Sequence, residues 1–98
     1  MTEITDNCNL IIAFFPDRAP RVDTVEVERL LRRHSVRVER VESTERGVLV
    51  FAESTQCGSL DLTNMREALG EQARAVGYRV RLHRECLFRA MHSLVQNF

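Results

Sequence analysis

The pattern of apolar and polar residues divides the chain into two kinds of strand, separated by amphipathic helices. Two runs are continuously apolar, Leu10 to Phe15 and Gly47 to Ala52. Continuous apolar runs of this length are typical of strands buried on both faces. Two other runs, one from Val36 and one from Tyr78, alternate apolar with charged residues. That alternation predicts strands with one face in the core and the other in water.

The segments between these strands have apolar residues at the spacing of a helix. Asp23, with Glu26 three residues later, forms a capping-box pattern, which predicts a helix from Thr24 to His34. Asp61 is expected to cap a second helix, which Gly77 ends. The apolar stripe of this second helix is Leu62, Met65, Leu69, Ala73 and Val76.

The elements follow in the order strand, helix, strand, strand, helix, strand. This is the order of the ferredoxin-like, or split βαβ, arrangement. We therefore predict an α+β fold, a ferredoxin-like βαββαβ sandwich. It has a four-stranded antiparallel sheet with two helices on one face and a short C-terminal helical segment. The two apolar strands are expected in the middle of the sheet. The charged strand from Val36 is expected at an edge, with a bulge before Val41.

One face of such a sheet has no helix on it, although both central strands carry apolar residues there. An exposed apolar patch of that kind is typical of an interface. The cover is expected to be the C-terminal segment, a second subunit or both, and we predict a homodimer. The predicted interface residues are Ile11, Phe15, Leu49, Phe51, Phe88 and Met91.

Length and composition predict a single domain. The 98 residues are 44% hydrophobic, which suffices for one core. Residues 1–7 are polar and lack periodicity, which predicts a disordered tail before one domain from residue 8 to residue 98. The longest apolar run is far shorter than the roughly 18 residues that span a bilayer. The first residues also lack the basic charge of a signal peptide. We therefore expect a cytoplasmic protein with no membrane contact.

The cysteines and histidines do not form a recognisable ligand pattern. Cys8, Cys57 and Cys86 are odd in number and irregularly spaced, unlike the disulfide framework of a small secreted domain. Reduced thiols are therefore predicted, with Cys57 as an ordinary loop cysteine. His83, Cys86 and His92 lie close together, but no second ligand pair repeats their spacing. No metal site is predicted.

The charged residues exclude several kinds of chemistry. All 14 basic residues are arginines, and 14 acidic residues balance them. The absence of lysine excludes Schiff-base catalysis and a phosphate-loop lysine. Acidic residues are interleaved with the arginines, so no basic stretch indicates nucleic-acid binding. Arg46 and Gly47 match the start of an RNA-binding signature, but Val48 and Val50 stand where base-stacking rings are required. No acid–base pair or nucleophile arrangement emerges, so we predict neither an enzyme nor a cofactor.

The best candidate for a binding site is the loop between the first strand and the first helix. Free backbone N–H groups at a helix start attract anions, and arginines bind carboxylates in a bidentate manner. The residues predicted to bind a carboxylate or other small anion are Asp17, Arg18, Arg21 and Val22. The alternative is a solvated turn that contains proline.

The end of the chain resembles a known family. Residues 84–94 read Arg-Glu-Cys-Leu-Phe-Arg-Ala-Met-His-Ser-Leu. Small stand-alone ACT-domain proteins characteristically end in a strand followed by Arg-Glu-Asp-Ile-Phe-x-x-Met-His-x-Ile. The matching residues are Arg84, Glu85, Phe88, Met91 and His92, with Leu87 and Leu94 as aliphatic equivalents and Cys86 in place of the usual acid.

The resemblance implies a ferredoxin-like ACT domain that dimerises and binds an amino acid or related small carboxylate at the subunit interface, as a regulatory module. ACT domains commonly open their first helix with Asp-Arg-Pro-Gly followed by Ile or Val. Residues 17–22 of this chain read Asp-Arg-Ala-Pro-Arg-Val and lack the glycine. We therefore expect either such a sensor or a degenerate ACT-like module for dimerisation or protein interaction, without a small-molecule ligand.

Overall fold

The computed structural model describes residues 7–85. They form β1 (Cys8–Pro16), α1 (Thr24–Leu31), β2 (Val36–Ser43), β3 (Val48–Ser54), α2 (Ser59–Ala75) and β4 (Tyr78–Glu85). The strands make one antiparallel sheet in the order β2-β3-β1-β4. The predicted four-stranded α+β architecture is confirmed, with β1 and β3 central and β2 at an edge. The predicted tail, except Asn7, and the predicted C-terminal helical segment lie outside the described residues.

The main core lies between the sheet and both helices. Leu10, Ile12 and Phe14 alternate along β1 and are at most 1% exposed. They share one cluster with Val27 of α1 and Leu69 of α2, so both helices pack on the same face of the sheet. Complete burial of side chains of this size contributes about 1.5–3 kcal/mol each, which makes this cluster the main source of stability.

The first helix begins where Asp23 caps it. The Asp23 carboxylate accepts a hydrogen bond from the Val25 N–H group at 2.9 Å. In a complete capping box, the Glu26 side chain would accept a hydrogen bond from the Asp23 N–H group. Here Glu26 accepts a hydrogen bond from Arg29, at 3.3 Å. The Asp23 N–H group donates instead to the Tyr78 hydroxyl of β4, also at 2.9 Å. The start of α1 is therefore held by a strand that is distant in the sequence.

The first helix is shorter than predicted and ends at Leu31, not His34. The Arg33 and His34 N–H groups donate to carbonyls three residues earlier, at 3.3 and 3.1 Å. Such bonds form the tighter 3₁₀ turn that often ends an α-helix. The turn redirects the backbone into β2, and His34 contacts Gln72 of α2 at 3.1 Å.

The second helix starts two residues before the predicted cap. Gly58 is its N-cap and makes no side-chain hydrogen bond, whereas Asp61 lies in the first turn. The negative charge of Asp61 in this turn still interacts favourably with the positive end of the helix dipole. The prediction that Asp61 is the cap is wrong because the helical hydrogen bonds already begin with Leu62 N–H to the Gly58 carbonyl.

The predicted stripe of the second helix is buried except at its end. The buried members are Leu62, Met65, Leu69 and Ala73. Val76 is 36% exposed because the helix has ended at Ala75 and Val76 is the C-cap. Gly77 leaves the helix with a φ of +90°, a conformation that favours glycine, as the sequence predicts.

The edge strand β2 carries charged side chains on its exposed positions. Its register against β3 shifts between Val38 and Arg40, which confirms the bulge predicted before Val41. Arg37 bonds to Glu53 of β3 at 2.6 Å. This hydrogen bond and the Glu53 charge raise the pKa of Arg37 above its usual value. Charged side chains on an edge strand disfavour pairing with another sheet.

Cys8 and Cys57 form a disulfide, so the prediction of reduced thiols is wrong for these two residues. Their Cα atoms are 6.0 Å apart, within the usual range for a disulfide. Cys8 begins β1, and Cys57 lies in the loop that precedes α2. Cys57 is therefore not an ordinary loop cysteine. The spacing could not reveal the pair because 49 positions separate the two residues and only the fold brings them together.

Candidate functional site

The loop of residues 17–23 lies against the end of α2. The Asp17 and Ala19 N–H groups both donate to the Gly77 carbonyl, at 2.9 and 3.1 Å. The contact is close: a Cβ atom on Gly77 would lie 2.8 Å from the Ala19 nitrogen. Two donors near the predicted anion site are thus engaged within the protein, and they fix the loop to the connection between α2 and β4.

The four residues predicted to bind a ligand do not converge on one point. The Arg18 guanidinium donates to the Arg74 carbonyl at the end of α2, where a positive charge is favourable. Arg21 is exposed, and Val22 packs partly buried against the main core. Asp17 alone of the four lines the groove described next.

A groove of about 930 Å³ lies where β1 ends and β4 begins. We call it the end groove. Its walls come from the end of β1, the turn between β2 and β3, α2 and the first residues of β4. The lining residues are Phe15, Pro16, Asp17, Glu45, Arg46, Gly70, Arg74, Tyr78, Arg79, Val80 and Arg81.

The end groove combines both signs of charge. Its lining includes two acidic residues and four arginines, which are Asp17, Glu45, Arg46, Arg74, Arg79 and Arg81. All six residues are exposed, so their side chains can reach a bound molecule at little desolvation cost. Tyr78 is 5% exposed and forms a fixed part of the wall, since its hydroxyl bonds to the start of α1. The groove is therefore suited to a small polar molecule that carries both charges.

Sequence reasoning assigned no site role to Arg74, Arg79 or Arg81. Arg79 and Arg81 occupy the polar positions of an alternating strand. This pattern is the same whether the polar face binds a ligand or only contacts water. Arg74 sits on the exposed side of a helix near its C-terminus. No spacing rule connects these residues to Asp17, because the groove forms only when β1 and β4 pair in register.

Four of the predicted interface residues form one apolar cluster on the sheet face opposite the helices. The cluster consists of Ile11, Ala13, Phe15, Leu49 and Phe51. We call it the second-face cluster. The prediction that these side chains share a face is confirmed, whereas their role at an interface stays a prediction. Phe88 and Met91, the other two predicted interface residues, lie outside the described residues.

Basic residues of both β2 and β4 lie beside the second-face cluster. The Arg40 guanidinium is 4.3 Å from the centre of the Phe51 ring, a cation–π contact. His83 lies opposite Ile11 in the register between β4 and β1. Burial, together with the positive charges of two nearby arginines, lowers the pKa of His83 below its ordinary value. Both causes favour the neutral form of His83 beside the cluster.

Residues 7–85 contain no group of three or more His, Cys, Asp or Glu side chains arranged to hold a metal ion. Cys86 and His92, considered above as ligands, lie beyond this range. Within the same range, neither helix is both long enough and apolar enough to cross a bilayer.

Comparison of the chain with models of protein families, with curated proteins and with solved structures gives no match. The case for a function therefore depends on the sequence pattern and on the geometry of the end groove and the second-face cluster.

Proposed function

We propose that this protein is a small regulatory ACT-type domain that binds an amino acid or a related small carboxylate in the end groove. The observation that carries the proposal is the joint presence of Asp17, Arg74, Arg79 and Arg81 around one groove. The proposal assigns the chain no catalytic reaction and no cofactor.

The architecture supports this proposal. The element order and the two helices on one face are compatible with the ferredoxin-like arrangement that the resemblance to ACT domains implies. The same arrangement hosts many unrelated functions, so the fold alone does not select a ligand. The choice of an amino acid comes from the groove and from the resemblance of residues 84–94 to the end of stand-alone ACT-domain proteins.

The charges of the end groove match those of an amino acid zwitterion. A guanidinium group can bind the α-carboxylate through two parallel hydrogen bonds. The Asp17 carboxylate can accept hydrogen bonds from the α-ammonium group, and Phe15 offers an apolar surface near both. Side chains of the groove would hold such a ligand, in place of the backbone contact that a glycine allows in the ACT loop. Arg18 is not counted among these side chains because it donates to the Arg74 carbonyl.

A thermal-shift assay with the 20 proteinogenic amino acids tests the ligand. A ligand at ten times its Kd adds about 1.4 kcal/mol of stability. In a domain of this size that raises the Tm by roughly 5 to 10 °C. We expect one amino acid to do so in a concentration-dependent way. Arg79→Ala and Asp17→Asn should each reduce the shift, whereas Arg32→Ala, at the exposed C-cap of α1, should retain it.

We also propose a homodimer, since the family that the chain resembles binds its ligand between subunits. The end groove is open, and a second protomer could complete it. Size-exclusion chromatography with light scattering should give a mass twice that of the 11.3 kDa chain at micromolar concentration. A single 11.3 kDa species, with or without the ligand, would contradict this part of the proposal.

The second-face cluster favours a second candidate function, a protein-interaction or dimerisation module without a small-molecule ligand. Its apolar side chains lie together on a face that neither helix covers. If no amino acid changes the Tm at millimolar concentration, this candidate replaces the first.

The proposed location is the cytoplasm. Disulfides are rare there because glutathione and thioredoxin keep thiols reduced. The Cys8–Cys57 pair is at most 9% exposed, which limits access of a reductant. The oxidation state of this pair in cells is therefore a direct check on the location.

A further inference from the structure

The strand β4 forms one edge of the sheet, and its pairing is regular throughout. Among the described strands it pairs with β1 alone, in a register without shifts from Tyr78 to Glu85. The opposite edge, β2, is interrupted by its bulge and carries the ion pair of Arg40 with Glu42. Bulges and charged side chains of this kind protect an edge strand from pairing. A regular edge such as that of β4 is a template on which another extended chain can pair.

Two hydrogen bonds show which backbone groups of β4 point away from β1. Asp17, directly after β1, donates its N–H group to the Gly77 carbonyl, so the odd-numbered residues of this strand face β1. The Leu82 carbonyl accepts a hydrogen bond from the Arg66 side chain of α2 at 3.0 Å, so the even-numbered residues face outward. The two directions alternate along an antiparallel strand. The N–H and carbonyl groups of Val80 therefore also point outward, and pairing with β1 leaves them unused.

There is space for a further strand along this edge. A groove of about 300 Å³ lies between α2 and the middle of β4, from Val80 to His83. It shares Gly70, Val80 and Arg81 with the end groove. The helix has no side chain at Gly70, and no atom lies within 4 Å of the position that a Cβ would take there. The outer edge of β4 at Val80 therefore borders open space.

The charges beside this edge determine which partner is favoured. Arg79 and Arg81 are exposed, and neither forms an ion pair with another of residues 7–85. Opposite charges that face each other across two strands are favourable, whereas like charges are unfavourable. A second copy of β4, paired antiparallel about Val80, would place Arg79 opposite the copy's Arg81. The charge pattern therefore favours an acidic chain over a second copy of β4.

We propose that the outer edge of β4 binds an extended acidic segment of another protein, which joins the sheet as an additional strand. The Val80 N–H and carbonyl groups form the central main-chain hydrogen bonds of this pairing. Acidic side chains at alternate positions of the segment face Arg79 and Arg81, and apolar side chains between them lie on the side of α2. This interaction does not depend on the ligand proposed for the end groove, although both use Arg79 and Arg81.

Fluorescence anisotropy with the full-length protein, in the absence of amino acids, tests this pairing. The probe is a fluorescein-labelled, end-capped peptide of sequence Glu-Val-Glu-Val-Glu-Val-Glu. We expect it to bind about tenfold more tightly than the same peptide with lysine in place of glutamate. A peptide of the same composition, with its glutamates and valines in separate blocks, should also bind more weakly. Equal binding of either control peptide would overturn the proposal.

Substitutions in β4 test the position of the peptide. Val80→Pro removes the outward N–H group and no hydrogen bond to β1, so it should weaken binding of the Glu-Val peptide while the far-ultraviolet circular dichroism is unchanged. If this variant does not fold, N-methylation of the central valine of the peptide removes the equivalent bond from the other side. Binding that persists after the N-methylation, or in folded Val80→Pro, would contradict the pairing.

A charge reversal separates the edge from the net charge of the protein. Arg81→Glu should weaken binding of the Glu-Val peptide and strengthen binding of the Lys-Val peptide. Arg32→Glu makes the same change at the exposed C-cap of α1 and should leave both affinities nearly unchanged. If the two variants had equal effects, net charge and not the β4 edge would explain the binding.

Amide hydrogen exchange of Val80 shows whether another chain already occupies the edge. In the peptide-free protein this amide should exchange quickly, and the Glu-Val peptide should slow it several-fold. Slow exchange without peptide at low protein concentration would assign the edge to residues of the same chain. Slow exchange that appears only at high protein concentration would assign it to a second copy. Either result would overturn the proposal.

Discussion

Reduction of the Cys8–Cys57 disulfide is expected to lower the free energy of unfolding by about 4 kcal/mol. The crosslink joins residues that are 49 positions apart, so it removes many conformations from the unfolded chain. For a domain of this size the change corresponds to a fall in Tm of more than about 15 °C. Urea unfolding with and without a thiol-free reductant measures it through the difference between the two midpoints.

Single-cysteine variants control this experiment. Cys8→Ser cannot form the bond, so its midpoint should not respond to the reductant. Cys86→Ser retains both partners and should respond as the unmodified protein does. Identical midpoints of the unmodified protein in both conditions, or three free thiols before reduction, would show that the disulfide is absent in solution.

Gly47→Ala is expected to destabilise the protein by about 3 kcal/mol or more, at the upper end of the cost of overpacking. A Cβ atom at this position would lie 2.0 Å from the Phe14 carbonyl oxygen. That atom belongs to the backbone of β1 and cannot rotate away, so the two central strands must separate at this end. The Thr44 to Gly47 turn would also be disturbed, since the Thr44 N–H group donates to the Gly47 carbonyl at 2.7 Å. Thermal unfolding should show a Tm lower by more than about 10 °C.

Gly70→Ala is the matched control for this substitution. Gly70 lies inside α2, and no atom is within 4 Å of an added Cβ there. Alanine at a helix interior is more favourable than glycine by about 1 kcal/mol, so this variant should be slightly more stable than the unmodified protein. If both glycine substitutions had the same effect, the close approach of Gly47 to Phe14 would not be the cause.

The elements of the fold could largely be predicted from local patterns. The two apolar runs identified β1 and β3 as central strands, and the phase slip before Val41 identified the bulge in β2. Both signals are local, because the period of side-chain exposure is two in a strand and depends on neighbouring residues. The helix ends were less predictable. Asp23 was correctly identified as a cap, but Asp61 was not, because the hydrogen bonds of Gly58 determine where α2 begins.

The candidate site was predicted only in part. Asp17 of the loop chosen from the sequence lines the end groove, whereas the binding of a ligand by this loop stays a prediction. The role of Arg18 could not be predicted, since its partner is a backbone carbonyl 56 positions away. The same holds for Tyr78, whose hydroxyl completes the start of α1 across 55 positions. Polar contacts over such separations leave no periodic signal in the sequence.

The sequence by itself determined the order of the elements, the pairing of buried and exposed faces, and the presence of a second apolar face on the sheet. Those properties follow from the alternation of side chains, which depends only on residues that are close together in the sequence. Only the tertiary structure decided that Cys8 meets Cys57, that two N–H groups of the predicted anion loop donate to the Gly77 carbonyl, and that four arginines line one groove with Asp17. These features depend on the register of β1 against β3 and β4, which is set by packing of the whole sheet against its helices.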